Sequence, residues 1–207
     1  MLLNLRICTT VFILILSSLS AQFSVSCDIA SRYVWRGIDF GNSASIQPSI
    51  SYTSGQLTVG AWSAWQHSGV GNENDIYASY AMGDFSLTVT DYYFPPSDFT
   101  NTDSDTGTHN IEVSIGGALN GVGFTLGMFV IEPGFYGAFD SNEIPMSKYM
   151  NLSYGPFMLG LGDGGYTTDG EFAPIELSIT DSNDKYTCSW ILNPDSGNAF
   201  LIVAMSI

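Results

Sequence analysis

Residues 110–130 read NIEVSIGGALNGVGFTLGMFV, a stretch that predicts two short strands joined by a tight link. The link is Leu119-Asn120-Gly121, and apolar residues alternate with small or polar residues on both sides of it. The apolar residues are Ile111, Val113 and Ile115 before the link, and Val122, Phe124, Leu126, Met128 and Val130 after it. Successive side chains of a strand point to opposite faces of its sheet. Each strand is therefore predicted to have one apolar face and one polar face.

Similar stretches follow one another along the chain, and the links between them alternate in length. Short links are 53–56, 83–84, 119–121, 155–156 and 181–185, and long links are 37–44, 67–75, 95–108, 131–145, 167–173 and 193–198. An antiparallel meander that crosses a bilayer has tight turns on one side and long loops on the other. We therefore predict an all-β fold, a closed antiparallel up-and-down transmembrane β-barrel of about twelve strands, an even number as in single-chain bacterial barrels.

The amino terminus predicts export from the cytoplasm. Arg6 precedes an apolar run over residues 7–16, and small residues at 17–21 follow, which is the pattern of a cleavable secretory signal. The run is too short for a transmembrane helix. We predict a signal peptide over residues 1–21 and one barrel domain over residues 22–207, although a signal alone would also suit a soluble secreted protein.

Composition and charge narrow the class of protein further. Charged residues make up 12% of the chain, against about 25% in an ordinary soluble domain. The net charge is −15, from twenty acidic and five basic residues, which excludes nucleic acid as a partner because phosphates require Lys and Arg. Cys27 and Cys188 would remain after signal removal, either as a disulfide or as two small apolar residues on the lipid side.

Aromatic residues fall at the ends of the predicted strands. The first strand is predicted over residues 24–36, so Tyr33 and Trp35 are placed on its apolar face near a long link, with Trp65 and Tyr93 at the same level. Tyr52, Tyr154, Phe157 and Tyr186 flank the short links. Two rings of aromatic side chains are typical of the two membrane interfaces, although aromatic residues also favour strands in general.

Two residues conflict with this pattern. Pro48 in the second strand cannot donate a hydrogen bond to a sheet. Asp91 shares the apolar face of Leu87 and Val89, where a carboxylate at mid-bilayer depth would be unfavourable. Either a bulge reverses the faces before Asp91, or Asp91 lies above the hydrocarbon zone.

Six segments carry a family resemblance: 31–37 (SRYVWRG), 45–48 (SIQP), 60–62 (GAW), 91–95 (DYYFP), 109–112 (HNIE) and 193–194 (NP). They resemble the TorF-like porin family of small bacterial outer-membrane β-barrel proteins. The resemblance spans most of the mature chain and implies an outer-membrane barrel without catalytic residues. The chain differs from most outer-membrane barrels at its last residue, which is Ile207 where Phe is usual.

The charged residues predicted to face the barrel lumen are the candidate pore residues: Asp28, Arg32, Arg36, Glu112 and Glu176. Acidic residues dominate the long links, and Asp98, Asp103 and Asp105 are predicted to form an acidic mouth that concentrates cations. Acidic loops could equally serve only to keep the surface solvated. The spacing from Asp98 to Asp105 fits no EF-hand loop, and no metal site is predicted.

Motifs for catalysis are missing from the sequence. It contains no G-x-S-x-G, H-E-x-x-H, C-x-x-C or P-loop pattern. His67 and His109 fall near acidic residues at the long-link end, where a metal or an acid–base pair could form, but isolated loop histidines are usually solvated. We predict that the protein is not an enzyme and carries no cofactor.

The function predicted from these observations is passive, porin-like permeation with a weak preference for cations. The expected partners are outer-membrane lipid, the barrel-assembly machinery and small solutes or cations, and the expected location is the outer membrane. A structural or adhesive barrel with a closed lumen is the main alternative, since twelve strands lie between filled and open barrels. A surface lipid-modifying enzyme is a third.

Overall fold

A computed structural model describes residues 22–103, 106–133 and 146–207. Twelve antiparallel strands close into one barrel, which confirms the predicted fold class. The barrel strands are β1 Gln22–Ala30, β4 Ser45–Ser54, β5 Leu57–Gln66, β6 Glu73–Met82, β7 Phe85–Tyr93, β8 His109–Leu119, β9 Val122–Ile131, β10 Lys148–Tyr154, β11 Phe157–Gly162, β12 Ala173–Ser182, β13 Tyr186–Leu192 and β14 Ala199–Ser206. Two further strands, β2 Val34–Trp35 and β3 Ile38–Asp39, form a separate hairpin, and η1 Gly164–Tyr166 is a single 3₁₀ turn.

Each barrel strand pairs with its neighbours in sequence, and β14 pairs with β1 to close the ring. This closing seam is short, with three residue pairs from Asp28↔Ser206 to Ala30↔Ala204. The β1–β4 pairing on the other side of β1 has nine, from Gln22↔Thr53 to Ala30↔Ser45. The predicted signal peptide lies outside the described residues. In the described part of the chain, no helix is long and apolar enough to cross a membrane.

All five predicted short links are tight turns between adjacent strands. Asn120 and Gly121 in the β8–β9 turn have φ angles of 52° and 81°. Two positive φ angles in a two-residue hairpin loop are the mark of a type I′ turn, whose twist matches that of the flanking strands. The Asn-Gly pair tolerates this conformation, so the turn fixes the register that aligns Leu119 with Val122.

The two faces of the wall divide as the alternation predicts. Apolar side chains point outward, with Val25 75% exposed and Leu126 44% exposed. Tyr154, Phe157 and Tyr186 also point outward beside the short turns. Cys27 and Cys188 are both free thiols, on β1 and β13, with β14 between those two strands.

Pro48 lies within β4, although proline cannot donate to a sheet. The β4–β5 pairing runs through Ile46↔Trp65, omits Gln47 and Pro48, and resumes in the same register at Ser49↔Trp62. On its other side Pro48 is aligned with Cys27 of β1. The strand therefore accommodates proline by a local interruption of one ladder.

Asp91 faces outward near the long-loop end of β7. The pairings of β7 with β6 and β8 show no register shift, and Asp91 is aligned with the outward-facing Ile76 and with Ile111. The bulge considered above is therefore absent from β7. The Asp91 carboxylate contacts His109 Nδ1 at 2.9 Å instead, so it has a partner on the outer wall.

The prediction for the first strand was wrong beyond Ala30. The chain leaves the wall at Ser31 and folds into the barrel, so Tyr33 becomes buried and Trp35 packs against aromatic rings of the interior. Tyr33 and Trp35 therefore do not belong to an outer aromatic ring. The alternation continues past Ala30 because β2 is itself a short strand, but it pairs with β3 and not with the wall.

Candidate functional site

Residues 31–44, here named the plug hairpin, fold inward from the long-loop end of the barrel. The hairpin turns at Arg36 and Gly37, between the paired residues Trp35 and Ile38. Their φ angles are 52° and 78°, so the tip has the two positive φ angles of a type I′ turn. Gly37 suits this conformation, whereas Arg36 adopts it at a cost because a side chain is disfavoured there.

Side-chain contacts at the tip offset this cost. The Arg36 guanidinium makes a two-point ion pair with the inward-facing carboxylate of Glu112 on β8, with Nη2 donating to Oε1 at 2.9 Å. It also donates to the Tyr166 hydroxyl of η1. The rings of Trp35 and Tyr149 lie 4.3 Å and 4.0 Å from the guanidinium carbon. The cation is thus neutralised and enclosed by aromatic faces, an arrangement that stabilises a buried charge.

The wall leaves room for this ion pair. A methyl group added at Gly127 of β9 would lie about 3 Å from the carboxylate of Glu112. Glycine at position 127 therefore leaves the space that the Glu112 side chain occupies. The prediction that Glu112 and Gly127 face the interior is consistent with this contact.

The hairpin touches opposite sides of the ring. Tyr33 donates its hydroxyl hydrogen to Glu73 of β6 at 2.9 Å. Gly37 lies so close to β12 that an added Cβ would be 2.1 Å from the carbonyl oxygen of Ile175. Strands β6 and β12 are six places apart in the twelve-strand order, so they face each other across the barrel. The hairpin therefore spans the interior from wall to wall.

Buried side chains fill the space around the hairpin. Eight form one cluster at this level, contributed by the hairpin, by η1 and by five wall strands: Tyr33, Phe40, Ala64, Tyr92, Phe129, Tyr149, Tyr166 and Ile175. Phe129 is fully buried, at 0% exposure. Asn193 and Gln66 hold the hairpin backbone by donating to the carbonyls of Gly37 at 3.2 Å and Phe40 at 2.5 Å. This packing fills the interior at the level of the hairpin.

The short-turn half of the interior has a different lining. Inward-facing hydroxyls hydrogen-bond in pairs between neighbouring strands: Ser26 with Ser49 (2.7 Å), Thr53 with Thr58 (2.9 Å), Ser79 with Thr88 (2.9 Å) and Thr180 with Ser189 (2.8 Å). These residues are exposed or half-buried, in contrast to the buried side chains around the hairpin. We name this space the hydroxyl chamber. It is open to solvent and lined mainly by small neutral groups.

The five predicted lumen residues occupy four environments. Arg36 and Glu112 meet at the hairpin tip, as described. Asp28 faces the interior at the seam, where it accepts a hydrogen bond from Ser206 at 2.7 Å. Glu176 is also buried in the interior. Arg32 belongs to the hairpin and not to a wall strand, and its guanidinium contacts Asp39 at 2.6 Å on the long-loop side.

The acidic residues of the long links are divided between surface and interior. Glu73 and Asp75, predicted to lie in a long link, begin β6 and are buried in the interior. Asp98 and Asp103 lie in the exposed β7–β8 loop. The backbone and hydroxyl hydrogen bonds from Thr100 hold the pKa of Asp98 below its ordinary value. Asp105 lies outside the described residues.

His109 is a structural residue of the outer wall. Its Nδ1 contacts the Asp91 carboxylate, and its Nε2 lies 2.8 Å from the carbonyl oxygen of Phe99. Phe99 and Tyr93 pack against the ring at 5.0 Å and 5.6 Å. Nδ1 therefore links β8 to β7, and Nε2 holds the β7–β8 loop against the wall. In the ranges that the structure describes, no three His, Cys, Asp or Glu side chains gather in a way that could hold a metal ion.

Sequence reasoning missed the plug hairpin, although a signal was present. Arg36-Gly37 lies between two short apolar stretches, and a residue-Gly pair in that position indicates a two-residue hairpin. The period-two pattern of Tyr33 and Trp35 fits an outward strand equally well. Only the direction of the chain after Ala30 distinguishes the two arrangements.

Comparison with known proteins gives a family and no activity. The sequence model of a family described as "Bacterial protein of unknown function (Gcw_chp)" matches residues 17–195. The search of curated proteins and the search of solved structures found no match.

Proposed function

Since this chain belongs to the Gcw_chp family of bacterial proteins of unknown function, we propose its function from its own geometry: it is an outer-membrane barrel of the porin type whose pore is shut by the plug hairpin. In this proposal the short turns face the periplasm and the long loops face outward. Small polar solutes pass when the hairpin leaves the interior. The resemblance of segments 31–37 and 91–95 to TorF-like porins supports the same assignment.

The outer wall supports a membrane location. Large apolar side chains are exposed on strands all round the ring, among them Phe23, Ile50, Ile76, Leu87, Leu126, Leu152, Ile179, Trp190 and Leu201. A continuous apolar surface of this kind is unfavourable in water and marks an interaction with lipid or protein. Lipid covers such a band in outer-membrane barrels, and the barrel-assembly machinery would insert it.

The observation that carries the closed-pore proposal is the wall-to-wall contact of the hairpin. Tyr33 meets β6 and Gly37 meets β12 on the opposite side. Aromatic packing fills the space between them. No wall strand includes residues 31–44, so the hairpin could leave without breaking the barrel ladders. The hydroxyl chamber below it has the polar lining that a solute path requires.

Conductance across a planar bilayer tests this proposal. The comparison is between the full mature chain and a variant in which residues 32–43 are replaced by a short Gly-Ser link, since this removes the hairpin and leaves the wall intact. The expected result is little or no current through the full chain and steady current through the variant. Retarded migration on a gel after boiling, compared with the unboiled sample, serves as the control that each barrel is folded.

A closed structural barrel is the second candidate, and the fully buried cluster around Phe129 favours it. It predicts that the folded, plug-deleted variant carries no more current than the full chain. Recovery of the protein in the soluble periplasmic fraction, with no change in migration on boiling, would reject both candidates because neither allows a soluble protein.

We do not assign a lipid-modifying activity to the outer wall. His109 is the side chain best placed for it, but its Nε2 faces the carbonyl oxygen of Phe99. A nucleophile would have to replace that carbonyl. We therefore also propose that the protein is not an enzyme. In a phospholipid hydrolysis assay, the full chain and His109→Ala should then show the same background rate.

A further inference from the structure

A pocket of about 530 Å³ with mixed polar and apolar walls opens at the long-loop end, beside the plug hairpin. Its lining comes from three separate parts of the chain: the hairpin, the loop that contains η1, and the β13–β14 loop with the start of β14. A volume of this size is typical of small-molecule sites. Because the walls include the hairpin itself, a solute bound here touches both the plug and the fixed rim.

The charged groups of the pocket are already partnered. Arg32 contacts Asp39 at 2.6 Å, and Asp39 also accepts hydrogen bonds from the backbone N–H groups of Gly41 and Asn42. Asp195 accepts from the backbone N–H of Thr168 at 2.7 Å. One guanidinium and two carboxylates line the pocket, so it is unfavourable for an anion. Each carboxylate already accepts hydrogen bonds, so neither requires a bound cation for neutralisation.

The remaining capacity of the pocket is for neutral hydrogen bonding. Arg32 uses Nη1 for Asp39, and a guanidinium has further donors. Exposed side chains at the rim add amides and hydroxyls, among them Asn198 and Ser196. The half-buried ring of Phe200 adds an apolar surface, and the Arg32 guanidinium lies over that ring, 5.5 Å from its centre. Interleaved donors and acceptors beside one aromatic face match a ring that carries several hydroxyl groups.

We infer that this pocket binds a neutral polyhydroxylated solute of the size of a mono- or disaccharide. The sugar ring packs beside Phe200, and its hydroxyls bond to Arg32 and to the amide of Asn198. This site goes beyond the proposed channel, because binding at the rim does not require the barrel to conduct. Its ligand class follows from the partnered charges and the mixed lining.

Isothermal titration calorimetry on the folded protein in detergent tests the inference. The probes are glucose and maltose, with glucuronate and glucosamine as charged analogues and cyclohexanol as an apolar one. We expect saturable binding of at least one neutral sugar, and weaker binding of all three other probes. The Arg32→Gln variant should bind that sugar at least tenfold more weakly.

The matched control is Lys148→Gln, which also removes a cation paired with an aspartate, Asp163 at 3.1 Å, but lies away from the pocket. It should leave the affinity unchanged. Because Arg32→Gln could loosen the hairpin, Asn198→Ala provides a second variant. The Asn198 side chain hydrogen-bonds to Ser196 within its own loop and not to the hairpin. Asn198→Ala should weaken sugar binding severalfold. Absence of binding by both neutral sugars overturns the inference, and so does tighter binding of glucuronate or an equal loss in Lys148→Gln. None of these outcomes depends on a current, so the proposed channel is tested separately.

Discussion

Arg36 and Glu112 are 76 residues apart in sequence and form a two-point ion pair in the barrel interior, with side chains 9% and 2% exposed. One belongs to the plug hairpin and the other to the wall strand β8. Removing one partner of a buried pair leaves the other charge uncompensated, which costs about 3–5 kcal/mol. This contact is therefore a strong polar link between the hairpin and the wall.

The first prediction concerns this ion pair. Glu112→Gln should make docking of the hairpin less favourable by about 3–5 kcal/mol. It should therefore increase the current through the barrel in a planar bilayer. Asp163→Asn is the control, because its partner Lys148 is 59% exposed and an exposed pair contributes about 0–1 kcal/mol. Equal currents in the two variants would contradict the role given to Glu112.

The second prediction separates backbone conformation from space at the hairpin tip. Gly37 and Gly121 have φ angles of 78° and 81°, so alanine at either position costs about 1–2 kcal/mol for a left-handed residue. At Gly37 the new Cβ would lie 2.1 Å from Ile175 O, whereas at Gly121 the nearest atom is a Tyr154 ring carbon at 3.9 Å.

Gly37→Ala should therefore displace the hairpin and raise the current, while Gly121→Ala should lower barrel stability slightly and leave the current at the level of the full chain. Urea unfolding measured by tryptophan fluorescence gives the stability, and bilayer recordings give the current. If Gly121→Ala opens the barrel as well, the close approach of the hairpin to β12 is not what keeps it shut.

The third prediction concerns the two faces of β9. Leu126 points outward and is 44% exposed, and Thr125 is half-buried on the inner face. Leu126→Arg should reduce stability in a bilayer by about 2–4 kcal/mol if it lies near the midplane, and less towards the interfaces. Thr125→Arg should be tolerated better, because it faces the hydroxyl chamber. Unfolding titrations in lipid vesicles compare the two, and equal losses would argue against a lipid-covered outer wall.

The fourth prediction concerns ion preference and is measured on the plug-deleted barrel. Carboxylates at the outer mouth should favour cations at low salt, and the preference should decline as salt rises, because exposed charges are screened within about 8–10 Å. Replacement of Asp98, Asp103 and Asp105 by Asn should reduce the reversal potential under a salt gradient. Asn keeps the oxygen that accepts hydrogen bonds from Thr100 and Thr106, so the loop should keep its shape.

The control for the fourth prediction is Asp181→Asn. Asp181 is aligned with the exposed Cys188 on the outer face, away from the bore. Its neutralisation should leave the reversal potential unchanged. A preference for anions in the plug-deleted barrel would reject the acidic mouth while leaving the channel itself intact.

The wall of this barrel could be predicted from the sequence because its determinants are local. Alternation with period two assigns Leu126 and Thr125 to opposite faces, and the Asn120-Gly121 pair specifies a tight turn without reference to the rest of the chain. A sheet of such hairpins leaves two open edges, and the pairing of β14 with β1 satisfies both. Strand order and strand number followed from these local signals.

The site could not be predicted in the same way, because its determinants are distant in sequence. The same alternation at Tyr33 and Trp35 fits an outer girdle or an inner plug, and the difference lies in what surrounds them. The tertiary structure brings Glu112, Tyr149 and Tyr166 around Arg36 from three parts of the chain. A guanidinium can enter an apolar interior only where a carboxylate and aromatic faces receive it. The sequence alone thus determined the wall, through local periodicity and turns, and tertiary packing alone decided that residues 31–44 lie inside the barrel.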